Sequence, residues 1–439
     1  MPKGRYQKEY FADPRIHNDR SIEQIYADVD AFTMEYFEDE PDFHDRIDFV
    51  VVLPPLGYEG RFVKGIFFSQ GTDFLHKLYP HLGKLFHSIG NAQWGAIPWS
   101  QASDGLFSLY ENPDRERWFR QTYPERANKV FVPLQDADHT NEYSMAPVPF
   151  VKRDTDVLCV SRMQDLKNIP MIAEALSVYR KKYGPIRMTL ILGKDVGLNM
   201  DGLTDGEREQ WRKIESILKH PYDYIRIVPK VNHSTELPRY YSSSKLLILG
   251  SLFEGKNRTL QEAMCCNTPV VCFRELNQYI RGETPPFPVG AGLVAANFDA
   301  ESLADTIHEV IQNQGDFRPR LEYLKVSGRK HFFSRCIDCF SEHYYAANVP
   351  DFSPGQHVMN LWLDLATQQN YELSLNDFIY GKNHLLMQGR GLSAIEKMLM
   401  FYHGRFGLPI HSGLDVDTAV ATISSPTSWL SESRILIWF

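Results

Sequence analysis

Cysteine is scarce: six residues in a chain of 439, at Cys159, Cys265, Cys266, Cys272, Cys336 and Cys339. They are too sparse for a disulfide framework, so reduced thiols are expected. Cys336-x-x-Cys339 has the spacing of half a zinc site or of a redox pair. It lacks a second ligand pair, however, and lies in an apolar-periodic stretch from Phe333 to Tyr344, which favours buried structural cysteines. Long apolar runs are missing too. No stretch approaches the roughly 18 to 20 residues needed to cross a bilayer. The opening residues MPKGRYQKEYFADPRIHNDR hold no apolar signal segment, so a cytoplasmic location is expected. Positive charge is in deficit, with 47 Lys and Arg against 55 Asp and Glu and a formal net charge of -8. The chain has no global basic field to attract a polyanion, which excludes generic nucleic-acid binding. No Gly-x-Gly-x-x-Gly turn follows a strand, which removes the fingerprint of a nicotinamide-dependent dehydrogenase or epimerase. Nor does an Asp-x-Asp pair follow a strand as a convincing chelator of a divalent ion, so chemistry without a metal is expected.

What the chain does hold is apolar surface, 43% of its residues against 23% charged, at a length that exceeds one ordinary core. From Asp156 onward, short apolar runs alternate with stretches of helical period, the pattern of a parallel sheet covered by helices. Val157 to Val160 reads as a strand. Asn168 follows as an N-cap and Pro170 stands in the first helical turn. Ile172, Ala175, Leu176 and Tyr179 then recur at i, i+3, i+4 and i+7 until Gly184 ends the helix. Strands are predicted at Met188 to Leu192, Tyr224 to Val228, Leu246 to Leu249 and Val270 to Phe273. Helices fall around Trp211 to Leu218, Glu236 to Ser242, Thr259 to Cys266 and Leu303 to Ile311. Right-handed crossovers would make this a doubly wound Rossmann-like domain over 151–345.

Residues 1–150 read as a second α/β domain, with strands at Phe49 to Leu53, Ile66 to Ser69, Lys84 to Ser88, Leu106 to Leu109 and Val130 to Val132. Met145-Ala-Pro-Val-Pro-Phe150 reads as a stiff linker between them. Residues 346–439 break the alternation. Helical patterns run through Met359 to Gln368 and Leu392 to Tyr402, and a Ser- and Thr-rich tail follows.

Two segments carry the chemistry. In Ser251-Leu-Phe-Glu254-Gly-Lys-Asn-Arg-Thr-Leu-Gln-Glu262, one acid ends a strand, a turn holds Gly255, and a second acid sits inside the following helix. Acid pairs eight apart arise by chance roughly seven times with 55 acids in 439 positions, so the flanking context carries the reading. A strand that turns into a helix start presents unpaired amides and the positive end of the helix dipole to phosphate, and Asn257, Arg258 and Thr259 fall at that opening. The other segment, Ser161-Arg162-Met-Gln-Asp-Leu-Lys167-Asn168, follows the domain's first strand. Arg162 offers a planar fork and Lys167 a point charge, a combination suited to a diphosphate. An isolated Arg and Lys pair is more commonly just solvated surface.

These motifs, in this order, resemble the nucleotide-binding half of retaining glycosyltransferases of family 4, which have the GT-B fold. The similar residues are Cys159-Val-Ser-Arg162 with Lys167-Asn168, the Gly193 turn, Val228-Pro-Lys-Val231, Tyr240 to Ile248, Glu254 through Glu262-Ala-Met, Thr268-Pro-Val-Val, and Gly290-Ala-Gly-Leu with Leu303-Ala. Leu109-Tyr-Glu-Asn-Pro and Lys129-Val-Phe-Val-Pro-Leu resemble the end of the family's first domain. The resemblance spans about residues 84 to 345 and implies an α/β GT-B architecture: two Rossmann-like domains facing across a cleft, here with a mainly helical C-terminal extension. It further implies that Arg162 and Lys167 hold a diphosphate with help from the helix start after Gly255. Glu262 would accept ribose hydroxyls, Val231 would read the base through its main chain, and Glu254 would lie beside the donor sugar. His87 is similar in placement to the family's first-domain histidine near the transferred sugar, with His76 and His81 as neighbouring competitors; a lone His at a strand end is more often structural.

The implied reaction moves a hexose, glucose by family habit, from a UDP-sugar to a saccharide or lipid-linked acceptor, with retention and without a metal. Surface polysaccharide synthesis, with peripheral contact at the inner membrane face, is the setting this implies. Two departures stand beside it. The family's glycine-rich loop near the N-terminus is missing, Leu53-Pro-Pro-Leu-Gly57 being a poor substitute, and Glu254-Gly-Lys-Asn-Arg replaces the commoner small-aromatic-small sequence. A catalytically weak GT-B-like partner subunit or scaffold is the alternative these departures permit.

Overall fold

The computed structural model describes most of 48–345 and also 388–390. Residues 1–47, 54, 59–60, 70–71, 73–74, 77–81, 92–102, 108–116, 118–119, 122–123, 125–127, 135–139, 141, 143, 197–200, 234, 252–256, 274–286, 346–387 and 391–439 are outside the description. The two helices predicted beyond residue 345 and the tail lie there. Two compact units form. One runs to Asp136 and resumes at Phe332; the other holds Ala137–His331.

The first unit begins with β1 (Asp48–Leu53), the hairpin strands β2 (Leu56–Tyr58) and β3 (Arg61–Val63), and β4 (Gly65–Ser69). A short helix α1 (Leu82–Leu85) leads into β5 (Phe86–Asn91), so the strand predicted at Lys84 starts two residues later. β6 (Gly105–Phe107) and β7 (Val130–Val132) follow. β4 to β7 pair in parallel, whereas β1 lies antiparallel to β4.

The second unit is an all-parallel sheet of β8 (Thr155–Val160), β9 (Met188–Ile191), β10 (Ile225–Val228), β11 (Ser244–Leu249), β12 (Val270–Phe273) and β13 (Gly292–Ala295). Its spatial order is β10-β9-β8-β11-β12-β13. Numbered within the unit, that is the doubly wound order 3-2-1-4-5-6. Helices α2 (Ile169–Tyr183), α3 (Asp205–Ile217), α4 (Leu237–Ser242), α5 (Arg258–Cys265), α6 (Ala300–Gln312) and α7 (Pro319–Val326) complete it. Strand residues alternate between the faces. Val157, Cys159, Leu246 and Ile248 join α2, α3 and α6 in one core. Leu158, Leu247 and Leu249 join α4 and α5 in the other. Burial on both faces is why these strands read as continuous apolar runs.

Several boundaries differ from those read in the sequence. The segment expected to link the halves is bound into the second unit: Met145 is buried, the Val148 amide donates to Ser242 Oγ at 2.9 Å, and the Arg320 guanidinium donates to the carbonyls of Glu142 and Met145. At the other end, α8 (Arg329–Phe340) places Phe332, Phe333, Cys336, Ile337 and Phe340 in the core of the first unit. A Cβ on Gly105 would meet the Phe340 ring at 2.7 Å, so a glycine on β6 admits this helix. A last described strand, β14 (Gln388–Arg390), pairs antiparallel with β1. Cys336 and Cys339 are free thiols on α8, and no group of three or more His, Cys, Asp or Glu able to hold a metal ion occurs among the described residues. No helix among those residues is long and apolar enough to cross a membrane.

Gly250, just beyond β11, marks the tightest approach near the sheet's centre. A Cβ there would lie 2.8 Å from an Ile172 carbon and 3.0 Å from the Asn168 carbonyl, against the start of α2. Gly250→Ala is therefore expected to destabilise by about 1–3 kcal/mol in urea titrations. Gly206→Ala, on α3 with nothing within 4 Å of the added carbon, should be neutral or stabilise by up to about 1 kcal/mol.

Candidate functional site

In an open doubly wound sheet, ligands bind beyond the carboxyl ends of the strands where the strand order reverses. Here that point lies between β8 and β11, which pair in parallel through Ser244↔Thr155, Leu246↔Val157 and Leu247↔Leu158. The two chemistry-bearing segments of the sequence are the loops that leave these two strands.

The loop after β8 is anchored by the Ser161 amide donating to the Ile191 carbonyl at 3.1 Å. Arg162 is exposed and makes no ion pair among the described residues. Gly193, after β9, keeps that loop clear of the Arg162 stem, since even a Cβ there would stay 3.9 Å from Arg162 Cγ. Lys167 ends a 3-10 turn, Asp165–Lys167. Its charge reaches the end of β8: burial pushes the Cys159 thiol up to about 12, with Lys167 pulling the other way. Asn168 departs from expectation. It sits in the left-handed region, at φ 48 and ψ 41, and its side chain makes no cap bond. It is the turn residue that redirects the chain into α2, a conformation Asn tolerates better than most residues.

Glu254 and Gly255 lie outside the described residues. Asn257 is the N-cap of α5, with its Oδ1 accepting from the Thr259 amide at 2.9 Å, the Leu260 amide at 3.4 Å and the Thr259 hydroxyl at 2.5 Å. The amides expected to stand open for a ligand are thus partly taken by the chain itself. What α5 offers an anion is the dipole field at its start and the exposed Arg258 beside it.

Glu262, one turn further into α5, is only 6% exposed. Its Oε2 accepts from the Tyr241 hydroxyl at 2.8 Å. Tyr241 is fully buried on α4 and held by the Thr268 hydroxyl, which donates to its carbonyl at 2.7 Å. Burial, and then the Glu262 carboxylate, push the phenol well above its ordinary range, which keeps it a donor. Oε1 of Glu262 meets His233 Nε2 at 2.8 Å. The hydrogen bond to Glu262 raises the His233 pKa; desolvation and the nearby Arg258 charge act the other way. Tyr241 lies within a sequence stretch already singled out, but the role of His233 is not visible in the sequence. Only the fold brings the loop after β10 against α5. Val231 lies two residues before it, half-buried against the core beneath α4 and α5.

His87 belongs to the first unit and is not at a carboxyl edge. It is the second residue of β5, at the amino end of a parallel strand. Its ring stacks on Tyr344 with centroids 4.2 Å apart, and Nδ1 lies 3.5 Å from Asp104 Oδ2, too long for a good hydrogen bond. Burial alone would raise the Asp104 pKa, but His87 and the Ser88 amide, which donates at 2.9 Å, bring it below its usual value. The Tyr344 hydroxyl donates to the Asp104 carbonyl and that of Tyr345 to Lys64. These contacts make His87 a packing residue that ties the end of the chain's last described helical segment to the sheet. The competing His76 donates to, or accepts from, Ser88 Oγ at 2.9 Å, and His81 lies outside the described residues.

Residues 141–331 match the family model for glycosyl transferases group 1. No curated protein sequence matches the chain. Among solved structures, a sucrose-phosphate synthase from Thermosynechococcus elongatus is 18% identical, over 60% of this chain and 69% of that one, with a TM-score of 0.43. A point mutant of S. aureus TarM in complex with fondaparinux, alpha-GlcNAc-glycerol and UDP is 14% identical, over 58% of this chain and 51% of that one, with a TM-score of 0.42. The pneumococcal O-GlcNAc transferase GtfA, in complex with UDP and GlcNAc, is 15% identical over 60% and 54%, with a TM-score of 0.42. The chain spans about half the length of these last two.

His87→Ala is expected to destabilise by about 1–3 kcal/mol through the lost stacking on Tyr344 and the space left beside it. Denaturant titration measures the loss. Abolished turnover without any change in stability would instead place His87 in the chemistry.

Proposed function

We propose, from the match of residues 141–331 to the glycosyl transferases group 1 model, that this chain is a retaining transferase of the GT-B class. It moves a hexose from a nucleotide diphosphate sugar to a hydroxyl of a saccharide or lipid-linked acceptor. UDP-glucose is the donor we assign, and surface polysaccharide synthesis at the cytoplasmic face of a membrane the setting. One observation carries the reading: β8 and β11 are adjacent parallel strands at the switch point, and the segments that follow them hold Arg162 and Lys167 on one side and the start of α5, with the nearly buried Glu262 one turn in, on the other.

The chemistry follows from charge. When the sugar leaves its diphosphate, negative charge builds on the phosphate oxygens and must be stabilised where it develops. Arg162 would grip those oxygens with two parallel N–H bonds and Lys167 with a compact charge, while the dipole of α5 adds its positive end. No divalent ion is required in this scheme. Because Asn257 caps the first amides of α5, the side-chain cations carry more of the load than a bare helix start would allow. In this reading Glu262 accepts the ribose hydroxyls and Val231 reads the base. Glu254 is assigned beside the sugar. Retention needs no protein nucleophile if the departing phosphate takes the acceptor's proton on the same face.

Thermal shift separates the donors first. UDP at about 100 times its dissociation constant should stabilise the protein by about 2.7 kcal/mol, with ADP, GDP and NAD giving no comparable rise; a response to GDP or ADP alone would change the base. Lys167→Ala and Glu262→Ala should each lower sugar transfer by roughly tenfold or more, the scale of a lost charge-assisted contact. Near-normal transfer in both folded variants would reject the site.

A further inference from the structure

The carboxylate assigned to the ribose is occupied in this structure, and its two partners differ in kind. Tyr241 is 0% exposed, on α4, with its main chain held by Thr268. His233 is 63% exposed on the loop after β10, while the Glu262 side chain beneath it is only 8% exposed. A hydroxyl arriving from solvent therefore meets the imidazole before it meets Oε1. Of the two partners, only His233 can swing into water without opening a core.

We propose that His233 is a displaceable plug on the ribose site: its imidazole holds Glu262 Oε1 in the empty protein and yields that oxygen to a ribose hydroxyl when nucleotide binds. The proposal rests on the donor-site reading above. The exchange keeps Oε1 hydrogen-bonded before and after, so the buried carboxylate is never left without a partner, which would cost more than the bond itself is worth. In the empty state the plug also fixes the carboxylate's orientation.

Protonation sets how firmly the plug sits. A neutral imidazole donates to the Glu262 carboxylate much as a ribose hydroxyl does, so one replaces the other at near parity, whereas an imidazolium adds the attraction of an ion pair to the same bond. Among the described residues, the groups facing His233 are Glu262 and Arg258 on α5, with the Tyr241 phenol behind Glu262. Within its own loop, Asn232 and Glu236 are engaged with each other, the Asn232 amide donating to Glu236 at 2.7 Å. Glu262 raises the His233 pKa and Arg258 opposes that rise. The sign follows: below the raised pKa the ion pair is intact and resists nucleotide, and as pH climbs through it the plug loosens. Arg258 limits the barrier by keeping the imidazolium from being held too tightly.

Calorimetric titration of wild type, His233→Ala and His233→Gln with UDP, ADP and GDP, from about pH 5.5 to 8.5, tests this. His233→Ala should bind the preferred diphosphate roughly tenfold tighter than wild type at the acidic end, the gap closing as pH rises. His233→Gln, which keeps a donor but cannot charge, should share the shallower slope. A diphosphate lacking both ribose hydroxyls should show no difference in slope between wild type and variants. An unchanged slope in the variants, or weaker binding by His233→Ala at every pH, would overturn the plug while leaving the donor site standing. If none of the three nucleotides binds any of the proteins, the donor reading fails and the plug with it.

Discussion

The parallel pairing of β8 with β11 is the constraint on which the site depends. Both strands are buried on both faces, so a slip of one residue would turn Leu158 and Leu247 toward the wrong helices. With that register held, the two loops leave side by side and diverge. The chain after β8 enters α2 on one face of the sheet, and the chain after β11 enters α5 on the other. A crevice between them is a consequence of the strand order rather than of any one side chain. Gly250 and the left-handed Asn168 bring the two departures close: the first removes a side chain where α2 begins, and the second turns the backbone into that helix.

Within the crevice, cations stand on both sides. Arg162, exposed, and Lys167, half-buried, sit on the β8 side, and a third cation, the exposed Arg258, opens α5 on the other. The β11 side supplies polar groups already satisfied by the protein. Asn257 closes its own helix, and Glu262 is held by Tyr241 and His233. A nearly buried carboxylate is tolerable because every oxygen has a donor. The consequence is that a hydroxyl reaching Glu262 must exchange for one of the partners it already has.

The first unit follows a different logic. Its core is joined from far along the sequence by α8 and the residues after it, with Phe332, Phe340 and Tyr345 packing against the strands. His87 belongs to this aromatic layer. Its position two residues after Lys84-Leu invited a catalytic reading, but the strand begins only at Phe86, so the histidine lies at the amino end of β5. A short offset in a strand start decides which end of a parallel strand a side chain occupies.

Local patterning made most of the second unit legible. The apolar runs of β8 to β12 and the i, i+3, i+4 faces of α2 and α6 are set by near neighbours, and burial on both sheet faces leaves their mark in composition. The strand β13, four residues opening with Gly292, is too short and weakly patterned to stand out. The positions of Arg162, Lys167 and Glu262, after a strand and at or inside the following helix, were readable because a strand that runs into a helix start is itself a local pattern. The partners of that carboxylate were not. His233 and Glu262 are 29 positions apart and Tyr241 and Glu262 are 21 apart, separations that no helical or strand period connects. The attachment of 142–150 to the second unit and of α8 to the first was equally hidden, because prolines and apolar stripes show what a segment can do but not which core receives it. Sequence alone determined which elements form and which charges they carry; the packing of one element on another decided what each of those charges touches.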